Sequence, residues 1–146
     1  MKQTENQSFK AEFKPGTYFI GDPCYALRDD LYDKWETDND YADGNYGYFA
    51  VGSTAYGDGL YSDSYSDRNF GVDAGVLGIV NLEYSAPDCN IELLNKLGQV
   101  IVVEKCLIFE YDSEAHIFYY KYDDNQFIEI HTAEDDEYEE DIENGW

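Results

Sequence analysis

The chain of 146 residues (16.8 kDa) carries 32 acidic against 9 basic residues, a formal net charge of -23 and a sequence pI of about 4.1. A surface this negative repels phosphates and anionic headgroups, which argues against direct binding of DNA, RNA or an acidic membrane and leaves cationic partners. With 43% hydrophobic and 17% aromatic residues, the chain holds enough apolar material for one folded domain rather than a disordered polyanion.

The first twelve residues are polar, without the apolar run of a secretory leader, and no stretch approaches the roughly 20 apolar residues of a membrane span. A soluble, cytoplasmic protein is expected. Thr17 to Gly21 is a short aromatic run closed by Asp22-Pro23, a strand ending in a turn, since proline cannot donate to a continuing ladder. Leu27, Leu31 and Trp35 then recur at i, i+4 and i+8, which predicts a helix over 27–36 with Asp29, Asp33 and Glu36 as a carboxylate ridge on its far side.

A polar loop follows at Asp38 to Gly44, then a strand pattern over Tyr46 to Val51 and a turn at Gly57-Asp58-Gly59. Six tyrosines lie between Tyr41 and Tyr65; some suit exposed contact loops and the others suit the core. Gly71 to Leu82 begins with glycine punctuation and ends as a buried strand, its glycines marking close backbone approach or positive φ. Asn90 to Leu97 reads as a second helix, capped by Asp88 or Asn90 and stopped by Gly98.

The runs 99–104, 106–111, 116–122 and 126–132 read as four strands. The last three form an antiparallel meander through the loop at 112–115 and the turn at 123–125. The expected fold is mainly β (α+β): an antiparallel sandwich or small barrel of about seven strands with two short peripheral helices. It occupies residues 1–133, and an acidic C-terminal tail follows over 134–146, with eight acidic residues between Glu134 and Glu143.

Three chemistries compete for these residues. Cys24, Cys89 and Cys106 form an odd set without a CxxC pair, so they read as reduced, mostly buried thiols rather than a disulfide framework or zinc site. Asp38, Asp40 and Asp43-Gly44 only superficially match a calcium loop, because Ala42 and Phe49 fall where ligands belong. No cofactor or metal is expected. Asp22, Asp58 and Asp73 each stand beside glycine in or next to a turn, as candidate carboxylates of a small hydrolase or nucleotide-ligand site with Cys24 as nucleophile. An aspartate in such a turn also serves simply to bond nearby backbone amides.

The strongest signal is the spread of carboxylates beside aromatic rings. Asp29, Asp30, Asp33, Glu36, Asp38, Asp40 and Asp43, with Tyr41 and Tyr46, together with Glu134, Asp135, Asp136, Glu137, Glu139 and Glu140 of the tail, form a surface that competes with phosphates for Lys and Arg. Tyr138, Ile142 and Trp146 add apolar anchors to the tail.

Three segments, Gly21 to Tyr25 (GDPCY), Thr54 to Tyr61 (TAYGDGLY) and Gly71 to Val80 (GVDAGVLGIV), resemble a set of small phage, prophage and bacterial proteins. These carry GDPCY, TAYGDGxY and GVDAGxxGIV in that order. The resemblance covers roughly the first 80 residues and implies a phage or mobile-element context, with no activity attached. By analogy of composition, small acidic phage proteins of this kind act as inhibitors that occupy the nucleic-acid cleft of a host defence nuclease, of CRISPR or restriction type. The expectation is therefore a non-enzymatic, anti-defence DNA mimic whose partner is a basic nucleic-acid-binding host protein. A phage structural component is a further alternative.

Overall fold

The computed structural model describes residues 8–65, 68–86, 89–123 and 126–132. The fold is mainly β, built from three antiparallel sheets with two helices and no closed barrel. The first sheet joins β1 (Phe9–Phe13), β9 (Leu107–Asp112), β10 (Ile117–Tyr122) and β11 (Gln126–His131) in that order. The second runs β3 (Gly44–Asn45), β4 (Phe49–Ser53), β7 (Val76–Asn81), β2 (Gly16–Gly21), β8 (Gln99–Val103). A hairpin of β5 (Gly59–Ser62) and β6 (Asn69–Val72) is the third. Helix α1 spans Asp29–Asp38 and α2 spans Ile91–Leu97.

The side-chain period of two sorts the residues into layers. Ile20, Ala50, Leu77, Ile79 and Ile101 of the five-stranded sheet face Phe109, Tyr111, Phe118, Tyr120 and Ile130 of the four-stranded one, and all are buried in one core. Their neighbours Phe19, Phe49, Val51 and Val80 point to the opposite face, where Trp35 of α1 and Leu94 of α2 cover them. Two glycines are set by this packing. At Gly78 a Cβ would sit 1.9 Å from the Ala50 carbonyl oxygen, and at Gly52 it would meet the Tyr111 ring at 2.4 Å. Gly75, by contrast, is needed for its φ of 81° in the turn before β7.

The β9–β10–β11 meander forms as the alternation predicts. β1 closes the same sheet from the other end of the chain, Phe9 pairing with Tyr111, and Ser8 bonds Ser113, 105 positions away. At the other edge the turn after β5 is fastened to β11, since Ser64 N–H donates to the Glu129 carbonyl and the Asp63 carboxylate accepts from the amides of Glu129 and Tyr65.

The described residues hold eleven strands instead of about seven: β1, β3, β5 and β6 add to those expected. The first helix begins at Asp29, not Leu27, which is held by a bridge to Ser85. Tyr46 lies outside β4, and His116 occupies a turn with φ 55° rather than a strand, because Asp112 accepts from the amides of Glu114 and Ala115 and ends β9. Asn90 caps α2 through the amides of Glu92 and Leu93, while Asp88 lies outside the described residues. Cys24 and Cys89 are half-buried and Cys106 is exposed, so burial is less complete than expected. Among the described residues no helix is long and apolar enough to cross a membrane.

Candidate functional site

Two of the glycine-flanked motifs meet at one buried carboxylate, and the third is tied to them through the backbone. β2 ends at Gly21, and Asp22 turns the chain into a 3-10 turn at Pro23–Tyr25, with proline at the first helical position where a missing N–H is harmless. Asp22 is fully buried. Its Oδ1 accepts from Cys24 N–H at 2.9 Å, and its Oδ2 accepts from Asp73 N–H at 2.8 Å and Ala74 N–H at 2.7 Å. The second motif joins through Thr54, whose N–H donates to the Gly75 carbonyl at 3.1 Å and whose hydroxyl donates to that of Gly57 at 2.9 Å. Tyr61 O–H reaches the same Gly57 carbonyl at 2.9 Å.

Asp58 and Asp73 remain exposed on either side of this bracket and act electrostatically on Cys24. Burial, reinforced by Asp22, Asp73 and Asp58, pushes the Cys24 thiol far above its ordinary range, so it is protonated and a poor nucleophile at neutral pH. Tyr25 beside it is pushed up to about 12, first by burial and then by Cys24, Asp73, Asp22 and Asp58. Asp22, fully engaged by three N–H groups, is structural, whereas Asp58 and Asp73 are available acceptors. Among the described residues no three His, Cys, Asp or Glu side chains are grouped to hold a metal ion.

Helix α1 borders this site. Tyr32 is raised by burial and then by Cys24 and Asp22 on one side and by Tyr41 and Glu36 on the other, which places it between the motif turns and the helix carboxylates. Asp29, Asp30, Asp33 and Asp38 are exposed, and Asp29 and Asp30 lie in the first turn, where the helix dipole favours negative charge. Asp30 is paired with Arg28 at 2.9 Å. Glu36 is half-buried and accepts from the Tyr41 phenol.

The loop after α1 wraps Trp35, whose Nε1–H donates to the Ala42 carbonyl at 2.9 Å and whose ring meets Tyr32, Tyr41 and Phe49 edge-on. That wrapping puts Asp40 and Tyr41 in the left-handed region, φ 54° and 60°, with both residues exposed. Two of the expected partner-binding residues are instead engaged inside the fold. Asp43 is half-buried and accepts from Ser53 Oγ at 2.8 Å. Tyr46 stacks on Phe49 at 5.1 Å and donates to the Ala42 carbonyl. Of the six tyrosines, Tyr61 is buried, Tyr46 and Tyr48 are half-buried, and Tyr41, Tyr56 and Tyr65 are exposed. Glu134, Asp135, Asp136, Glu137, Glu139 and Glu140 lie outside the described residues.

The structure thus brings Asp22, Asp58 and Asp73 together around Cys24 and Tyr25, and Tyr32 links Cys24 and Asp22 to Glu36 and Tyr41, the latter near Asp33 and Asp40. Sequence reasoning missed Tyr25 and Tyr32, the two phenols at the junction. The signal for Tyr25 was its place inside the GDPCY motif; Tyr32 carried none, because only the packing of α1 brings it there. Comparison of the chain with protein-family models, with curated proteins and with solved structures finds no match.

Proposed function

We propose that the chain is a non-enzymatic inhibitor that lodges in the basic nucleic-acid-binding cleft of a host defence nuclease, of restriction or CRISPR type, in place of DNA. The observation that carries this reading is the run of exposed carboxylates along α1 and the loop after it, Asp29, Asp33, Asp38 and Asp40, with the exposed Tyr41 phenol lying near Glu36, Asp33 and Asp40. Helix α1 is about 13.5 Å long at 1.5 Å per residue. With Lys34 and the Arg28–Asp30 pair set off against its acidic residues, the helix presents a net charge of -3. That is one charge per roughly 4.5 Å, against 3.4 Å along a single DNA strand. One helix therefore imitates about one strand, and the exposed Asp40 of the loop that follows continues its line of charge. The resemblance to phage proteins supplies the host context.

The test is inhibition of DNA cleavage by purified restriction and CRISPR nucleases, measured as a function of salt. The native chain is expected to compete with duplex DNA and to weaken steeply with ionic strength. The variant carrying D29N, D33N, E36Q, D38N and D40N is expected to lose roughly tenfold to a hundredfold in potency. Retention of full potency by that variant, or no inhibition of any such nuclease, overturns the reading.

The convergence of Asp58 and Asp73 beside Cys24 favours a second reading, a small-ligand or nucleotide site, or a small hydrolase. Loss of function on Asp73→Asn with the helix variant fully active would select it. Against its hydrolytic form stand the structural engagement of Asp22 and the protonated Cys24 thiol.

A further inference from the structure

The four-stranded sheet has a second surface, on the face turned away from the core. A groove of about 830 Å³ crosses it, walled by Ser8 to Lys10 on one side and Tyr65 on the other. Strands stand about 4.8 Å apart, so a groove running from β1 past β11 to the 63–65 turn is on the order of 19 Å long. The wall at Tyr65 is rigidly placed, because the Asp63 and Ser64 bonds described above fasten that turn to β11.

Its floor follows from the strand register. Lys10 lies opposite Glu110, Glu110 opposite Tyr119, and Tyr119 opposite Glu129, so an ammonium, a carboxylate, a phenol and a carboxylate succeed one another across the sheet. In the adjoining row Lys121 lies opposite Phe127, its Nζ 5.8 Å from the ring centroid. Glu129 is pre-positioned: Oε1 accepts from Tyr65 O–H at 3.1 Å, and Oε2 pairs with His131 Nε2. The Tyr65 and Phe127 rings stand 6.3 Å apart with their planes inclined by 51°.

Three features fix the class of ligand. The groove lining carries two lysines and three carboxylates, close to balance in a chain of net charge -23, so it selects neither a polyanion nor a polycation. Donors and acceptors alternate along it, which suits hydroxyl groups that do both. Its rings make an open, uneven floor rather than a parallel slot, which suits the C–H face of a saturated ring better than a flat base held by stacking. We propose that this groove binds a neutral oligosaccharide, with Tyr119 and Phe127 as the platform and Glu110, Glu129, Lys10 and Lys121 bonding the hydroxyls. This site lies on a different sheet from the α1 surface, and the proposal is independent of the inhibitor reading.

The experiment is an amide-shift NMR titration of the full chain with cellotriose, maltotriose and triacetylchitotriose, each to about 10 mM, with adenosine as the flat-ring control. The expected result is saturable shifts at Lys10, Glu110, Tyr119 and Phe127 with at least one trisaccharide. Tyr119→Ala and Phe127→Ala, whose side chains lie outside the core, should each weaken binding about tenfold while the rest of the spectrum stays native. The variant carrying D29N, D33N, E36Q, D38N and D40N should bind as the native chain does. Absence of saturable groove shifts with all three sugars, unchanged affinity in both aromatic variants, or preferential binding of adenosine at these residues overturns the proposal.

Discussion

Replacing Asp22 with alanine removes the acceptor that ties the turn at Pro23–Tyr25 to the Asp73–Ala74 turn. The amides of Asp73 and Ala74 lose a bond to a charged group, each worth about 1.5–3 kcal/mol, and Cys24 loses a capping bond worth about 1 kcal/mol. Two effects hold the sum to its lower end. Asp73 and Ala74 are exposed residues, so water can reach their freed amides, and removing the carboxylate also removes the desolvation penalty of a buried charge. The expected destabilisation is about 4 kcal/mol, or about 12 °C in Tm for a domain of this size.

Asp22→Asn separates geometry from charge. Its carboxamide oxygen can serve Asp73 and Ala74, but its NH2 group then faces the Cys24 amide, donor against donor. A loss of about 2 kcal/mol is expected, between native and alanine. Urea unfolding followed by far-UV circular dichroism, with Tm measured in parallel, gives both values. A loss below about 1 kcal/mol for alanine, or an asparagine variant less stable than the alanine variant, would refute the bracket role.

Gly78→Ala drives a methyl group into the Ala50 carbonyl across the β4–β7 ladder, where neither backbone can retreat, and should cost more than about 3 kcal/mol by urea unfolding. At low pH, Asp123 is the informative group: the amides of Glu104, Lys105 and Cys106 hold its carboxyl below the usual range. A depressed folded pKa stabilises above the unfolded value near 3.9 and is lost as pH falls through the folded value, so native and Asp123→Asn stabilities should converge as pH drops below about 4. At high pH the sign reverses for Tyr25. A phenol raised to about 12 keeps its contribution below the unfolded value near 10 and loses it as pH rises, so Tyr25→Phe should flatten the fall in stability over that interval, read with phenolate absorbance.

Where a segment combines strict alternation with aromatic or β-branched residues, as in Leu107 to His131, the strands were legible because one face is buried and the other is not. β1 escaped notice because it is short and two of its five residues are the outward, charged Lys10 and Glu12, although Phe9, Ala11 and Phe13 alternate onto the core. β5 and β6, short and rich in glycine and polar residues, become strands only by pairing with each other and docking on β11. The α1 ridge could be read from its 3.6-residue period, yet Asp43 and Tyr46 turn inward because the loop wraps Trp35, a tertiary event that no local spacing encodes. The meeting of Asp22, Asp58 and Asp73 was equally hidden. Each motif looked like an isolated turn, and the bonds that join them, Asp22 to the amides of Asp73 and Ala74 and Thr54 N–H to the Gly75 carbonyl, arise only once β2, β4 and β7 lie side by side.

The pairing of β1 with β9 sets a timetable for biosynthesis. Ser8 and its partner Ser113 are 105 positions apart, so at about 5–20 residues per second β1 waits on the order of 5 to 20 s for the strand that pairs with it. The central β2 likewise waits for β7 and β8. The β9–β10–β11 meander pairs only neighbouring strands, whereas β1 can join that sheet only after β9 is made. In this chain neither large sheet can be completed strand by strand in the order of synthesis.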